Sequence, residues 1–152
     1  MKIAKVKEIV EQKINQANLI GWTVVYNNTV NTCGTCNYYY KVITISKKHC
    51  QVATDEEVFD TICHEVAHAV VGYDDNHSEI WFNECIKLGG TGNITTNQTI
   101  PYRFKGVCGK CSAVYKRHTA PQNKRVSCSK CDSDFNEKYI IEFEEYNQFE
   151  LF

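Results

Sequence analysis

The sequence predicts an α+β protein followed by a small cysteine-stapled module. Three observations carry this reading. Apolar residues recur at helical spacing in 2–19, 54–71 and 77–88. Two β-branched and aromatic runs, 22–26 and 38–46, separate the first two of these segments. Two Cys-x-x-Cys pairs stand behind them, Cys108/Cys111 and Cys128/Cys131.

Taken in order, Ile3, Val6, Ile9, Val10, Ile14 and Ala17 make one face of a first helix, and Gly21 is read as its stop. The runs WTVVY and YYYKVITIS are read as strands that pair in one small antiparallel sheet. The Asn- and Thr-rich stretch 27–34 between them reads as a loop, and Cys33-Gly-Thr-Cys36 as a turn with packing cysteines. Thr54-Asp-Glu-Glu57 is a capping box: the Thr54 side chain caps free N–H groups and Glu57 reaches back. The helix it opens runs to about Val71, with Gly72 as its stop. Val58, Phe59, Ile62, Cys63, Val66, Ala67 and Val70 form its core stripe, and Thr61, His64, Glu65 and His68 fall largely off it. A further helix starts near His77 or Ser78 and ends at Leu88. The stretch 89–99, rich in Gly, Thr and Asn, has no core pattern and reads as a linker. YIIEF at 139–143 is a possible strand of the last module.

The chain has 152 residues, enough for one domain or a domain plus a small module. No run of 18 or more apolar residues occurs, so no membrane span is expected, and the first ten residues lack the apolar stretch of a secretory signal. A cytoplasmic, nuclear or host-cell interior is expected, not secretion, and a monomer. Nine cysteines, an odd number, with the two downstream Cys-x-x-Cys pairs among them, favour metal over disulfides. The net charge of −1 hides a segregation. Residues 101–131 carry eight basic residues and no acidic one: Arg103, Lys105, Lys110, Lys116, Arg117, Lys124, Arg125 and Lys130. Residues 132–152 carry seven acidic residues and one basic. Such blocks suggest a polyanion-facing module followed by an acidic tail.

The densest chemistry is His64-Glu65-Val66-Ala67-His68. Residues four apart on a helix share a face, so both imidazoles can meet one metal ion. Glu65 lies one step round, placed to take a proton from metal-bound water. A catalytic zinc takes three protein ligands and keeps one position open. His77, nine residues after His68, is the favoured third ligand; Glu84, Asp74 and Asp75 are its rivals. Trp81 can wall the site. Tyr73 and Tyr102 are guesses for an oxyanion donor. Cys63 faces the core and reads as packing. The four downstream cysteines have the spacing of a closed, structural zinc site. The basic residues around them interleave with Tyr102, Phe104 and Tyr115, a pattern for phosphates and unpaired bases.

With these motifs in order, the chain resembles the SprT-like family of zinc metalloproteases, which includes the Spartan proteases. The resemblance rests on the Trp22 strand, Gly34-x-Cys36, Ile43-x-Ile45-Ser46, the His64–His68 motif, His77 followed by Trp81, and the four cysteines. Ser78 follows His77 where the family often has glycine; here it can cap a helix. The resemblance implies a zincin-like domain over 1–98, a zinc ribbon over 99–146 and a short acidic, aromatic tail over 147–152. It implies His64, His68 and His77 on a catalytic zinc, Glu65 as general base, and a second zinc on Cys108, Cys111, Cys128 and Cys131. It also implies DNA-dependent hydrolysis of proteins bound or crosslinked to DNA; the interleaved aromatics add single-stranded regions to the DNA expected to bind. Two alternatives stand beside this: a non-proteolytic nucleic-acid-binding regulator, and a peptidase dedicated to one protein. The acidic tail is expected to compete with DNA for the ribbon.

Overall fold

The computed structural model describes residues 1–95, 100–121 and 125–146. The chain divides into two compact units, Met1–Ile100 and Pro101–Phe152.

In the first unit, helix α1 spans Ile3–Gln16 and buries Val6, Ile9 and Val10. It ends earlier than Gly21 would suggest, because Asn18 already takes a left-handed φ of 53°. Three strands follow: β1 (Thr23–Asn27), β2 (Gly34–Asn37) and β3 (Val42–Ser46). Their order is β1-β3-β2. β3 takes the centre because Ile43 and Ile45, both 0% exposed, put alternate apolar side chains on the core face.

The expectation of an antiparallel sheet is corrected here: β1 runs parallel to β3 and only β2 is antiparallel to it. The reason is connectivity. β2 reverses the chain once, and the turn 38–41 reverses it again, so β3 regains the direction of β1. That turn occupies the first half of the run read as one long strand. Asn37 Oδ1 accepts from Tyr40 N at 3.0 Å and Lys41 takes a φ of 52°, which ends β2 and starts β3 at Val42. Gly34–Asn37, read as a turn, is the edge strand β2.

Helix α2 (Lys47–Val52) is short and was not foreseen. Ser46 caps it, accepting from His49 N at 3.2 Å, and donates its hydroxyl to Thr29 O at 2.7 Å. This ties the 28–33 crossover to the end of β3. Helix α3 (Asp55–Val71) opens on the capping box: Thr54 N donates to Glu57 Oε2 at 2.8 Å and Glu57 N to Thr54 Oγ1 at 3.2 Å. It stops at Gly72, whose φ of 86° favours glycine. α3 is the hub of the unit, packing on α1, α2, α4, β2 and β3. Helix α4 (Glu79–Lys87) begins at Ser78, whose side chain accepts from Trp81 N at 3.2 Å. No helix among the described residues is long and apolar enough to cross a membrane.

The second unit is a three-stranded antiparallel sheet, β4 (Phe104–Val107), β5 (Val114–Arg117) and β6 (Phe143–Glu145), in the order β5-β4-β6. The run 139–143 does not form a strand as read. Glu137–Tyr139 is a 3-10 turn, Ile140 bridges Ser127, and β6 begins only at Phe143. Gly106 allows this packing: a Cβ there would meet Ile141 Cγ2 at 2.5 Å. The tail 147–152 lies outside the described residues.

Candidate metal centre and cleft

Helix α3 presents His64 and His68 one turn apart. The chain then reverses through Gly72 and a turn in which Ser78 N donates to Asp75 O at 3.2 Å. His77 sits in that turn with a left-handed φ of 52°, which swings its ring back over α3. The three Nε2 atoms converge: His68 to His64 at 3.1 Å, His68 to His77 at 3.2 Å and His77 to His64 at 3.2 Å. Trp81, 2% exposed, backs all three rings, with centroids 4.7 to 5.4 Å away. Its indole N–H donates to His64 O at 3.4 Å.

This geometry fits a metal ion. Tetrahedral ligands about 2.0–2.1 Å from zinc lie roughly 3.4 Å apart, close to the separations of the three nitrogens. Burial holds His64, His68 and His77 below the ordinary histidine value, so all three offer lone pairs. His68 is lowered to about 4, by burial first and then by the other two rings. No carboxylate joins the group among the described residues. The rival Glu84 is instead engaged by Lys87 at 3.2 Å, and Asp74 and Asp75 are not in the cluster.

Glu65 and His68 depart from the sequence reading: they are 7% and 6% exposed, not on an open polar face. The edge strand explains it. β2 packs on α3, and Gly34 lies so close that a Cβ there would meet Glu65 Cγ at 2.7 Å and Oε1 at 2.9 Å. Burial pushes the Glu65 carboxyl up to about 8. A cation among the histidines would favour its charged form. Beside it lies a cleft of about 470 Å³, lined by Asn31, Gly34, Thr61, His64, Glu65 and Asn93, among others. A larger depression of about 720 Å³, around Met1, Lys47 and Asp55, contains none of these histidines.

The stretch 89–99 is not a bare linker over its described part. Asp60 accepts from Thr91 N at 2.6 Å and from Thr91 Oγ1 at 2.9 Å. Asn93 N donates to Thr91 Oγ1, and Asn93 O lies 3.2 Å from His64 Nδ1. Sequence reading named Gly34 but not its place against Glu65, and it missed Asp60, Thr91 and Asn93. Three glycines at 89, 90 and 92 were the available signal for close backbone approach.

Other expectations can now be placed. Cys63 is fully buried, its Sγ 3.4 Å from Leu88 O, as packing requires. Cys33, Cys36 and Cys50 join no metal-type group among the described residues. Tyr73 is 77% exposed and meets Tyr38 edge-on at 5.8 Å. Tyr102, in the second unit, stacks on His118 at 4.4 Å.

In the second unit the Sγ atoms of Cys108, Cys111, Cys128 and Cys131 all lie within 4.8 Å of one another. Cys108 to Cys131 is 3.8 Å and Cys111 to Cys128 is 3.5 Å. Thiolates about 2.3 Å from a tetrahedral zinc would be roughly 3.8 Å apart, so this set also fits. The Tyr115 hydroxyl, 3.2 Å from Cys128 Sγ, holds that thiol down to about 6.

Most of the basic residues predicted to face a polyanion already have partners. Arg103 pairs with Glu145 and Arg125 with Glu137, each at 2.9 Å. Lys110 Nζ donates to Tyr139 Oη at 2.9 Å, and Lys105 and Arg117 lie over the rings of Tyr146 and Phe143. Lys116 and Lys130 are exposed. Lys124 lies outside the described residues.

Comparison with known proteins agrees with the site. The SprT-like family pattern matches residues 3–99. A protein of Oceanobacillus iheyensis named Protein SprT-like is 28% identical over 103 residues, covering 64% of this chain and 69% of that protein. The HMG box-containing protein C19G7.04 of Schizosaccharomyces pombe is 27% identical over 126 residues, covering 74% of this chain. The match spans only 34% of that longer protein. With the family pattern spanning most of the first unit, including every residue of the histidine cluster, the chain belongs to the SprT-like family.

Proposed function

We propose that this protein is a DNA-associated zinc endopeptidase acting on proteins bound or crosslinked to DNA. One observation carries the peptidase part: three Nε2 atoms within 3.2 Å of one another, with buried Glu65 beside them on a cleft. His64, His68 and His77 would hold the zinc, which when bound would supply Lewis acidity and acidify a water. Glu65 takes a proton from the attacking water and delivers it to the leaving amine. Gly34 keeps room beside that carboxylate, and Trp81 fixes the rings behind it. Asn31 to Gly34 on one side and the Asn93 loop on the other line the cleft that would receive a substrate chain.

The DNA part rests on the second unit. The four clustered cysteines would hold a structural zinc, and the eight basic residues surround them in sequence. Lys105 and Lys116 stand directly opposite each other on β4 and β5, a like-charge pairing that an anion relieves. Glu144, opposite Lys105 on β6, partly relieves it within the protein.

The test is cleavage of a DNA-binding protein, with and without DNA, by wild type and Glu65→Gln. Cleavage that needs both DNA and Glu65 is the expected result. DNA binding that weakens steeply with salt is expected alongside it. A second reading is a peptidase dedicated to one protein, with the second unit as its docking surface. The internal pairing of Arg103 and Arg125 favours it, and Glu65-dependent cleavage indifferent to DNA would establish it.

A further inference from the structure

We infer that Asp60 is a positioning residue for the metal centre, acting on His64 through Thr91 and Asn93. The inference rests on the zinc reading of the three histidines. Asp60 lies one turn before His64 on α3, so the two side chains share a face. Its carboxylate grips Thr91 twice, through the backbone N–H at 2.6 Å and the hydroxyl at 2.9 Å. Thr91 Oγ1 in turn accepts from Asn93 N at 3.2 Å. That sets the Asn93 carbonyl 3.2 Å from His64 Nδ1. A carbonyl only accepts, so Nδ1 must carry the proton. Nε2 is left with its lone pair, pointing at the other two Nε2 atoms.

Backbone bonds tie the start of the loop to α4, from Gly89 N to Ile86 O and from Gly90 N to Cys85 O, each at 2.9 Å; among the described residues Asp60 supplies the side-chain grip farther along, on Thr91. Thr91 and Asn93 are exposed and offer no apolar anchor. The flanking glycines permit the close approach to α4 that these backbone bonds require. A Cβ on Gly90 would meet Cys85 Sγ at 2.7 Å and Cys63 Cβ at 2.8 Å; one on Gly92 would run into Phe82. His68 lacks the equivalent support, since its buried Nδ1 has no partner among the described residues. Trp81 backs the His64 ring, the loop carbonyl sets its tautomer, and Asp60 holds the loop where that carbonyl is presented. Because Asn93 and Ile94 also line the cleft, the same carboxylate fixes one wall of it.

The experiment is chelator-driven zinc release from the full-length protein, followed by the colour of the chelator complex. Release is expected in two phases, fast from the histidines and slow from the cysteines. Asp60→Ala should speed the fast phase by about tenfold or more, the range for a lost outer partner of a ligating histidine, and leave the slow phase alone. Asp60→Asn, which still accepts the Thr91 N–H, should restore most of the wild-type rate. Thr91→Val should fall between them, and it serves as the probe if Asp60→Ala does not fold. Nitrogen NMR should show the His64 Nδ1–H tautomer in wild type and its loss in Asp60→Ala. A lower melting temperature with an unchanged fast phase and unchanged tautomer would make Asp60 merely structural and overturn the inference. A wild type that holds zinc only in the slow phase would remove the histidine metal centre itself, and the inference with it.

Discussion

The two metal-type clusters differ in what stands behind them. The histidines are mounted on a finished core. Sixteen buried residues, from Val6 in α1 to Leu88 after α4, form one cluster in the first unit. Among the described residues the cysteines have a far smaller one: Cys108, Cys128 and Ile141, two of them ligand candidates themselves, with partly buried Tyr115, Tyr139 and Phe143 against them. A site on a core can leave a coordination position open, because the fold does not need the metal to close it. A site that replaces a core must be closed on all sides. The same element, on this account, is a reagent in one unit and the keystone of the other.

Breaking the cysteine cluster should have the largest effect. Structural zinc contributes roughly 10–16 kcal/mol of binding free energy to folding in small zinc modules. Cys128→Ser should therefore melt the second unit, seen as collapse of its amide NMR dispersion, while the first unit keeps its own. Persistence of the β4–β5 and β4–β6 pairings without metal would break the comparison. Glu65→Gln comes next. It should reduce cleavage by about 10²–10⁴-fold, the usual contribution of a general base, while zinc content holds. In the metal-free protein its melting temperature should be equal to or above wild type, because a carboxyl that burial pushes up to about 8 is replaced by a neutral amide.

A core truncation sharpens the contrast at smaller scale. Ile43→Ala should cost the first unit about 2–5 kcal/mol in denaturant unfolding and leave the second unit unmoved. The smallest effect concerns pH. His49 is 1% exposed, with Nε2 3.2 Å from Thr61 Oγ1. Burial lowers it from 6.5, partly opposed by Glu57 and aided by the terminal ammonium. The unfolded chain then binds the proton that the folded one refuses. Stability is whole above 6.5 and is lost as pH falls below it. Urea titrations between pH 7 and 5 should show this slope, and His49→Gln should flatten it; an equal slope in both would remove His49 as its source.

Local rules made much of the site legible. The capping box, the i and i+4 histidines, the Gly72 stop and the Ser78 cap each depend on a few neighbouring residues, and each is found where the spacing puts it. What escaped depends on distant partners. Gly-Thr-Cys-Asn has no strand composition; it is a strand because β3 and α3 flank it. Glu65 is polar by residue type and buried by Gly34, thirty-one places away in sequence. Gly89–Asn93 reads as a linker because its anchor, Asp60, lies two elements back. The parallel β1–β3 pairing follows from two reversals that no single segment encodes.

The most direct test of the central claim is a crystal structure of the full chain with anomalous diffraction at the zinc edge. The account predicts two peaks: one bound by Nε2 of His64, His68 and His77 with a fourth position free of protein, and one enclosed by the four Sγ atoms. A single peak at the cysteines, or a histidine site closed by a fourth protein ligand, would contradict it.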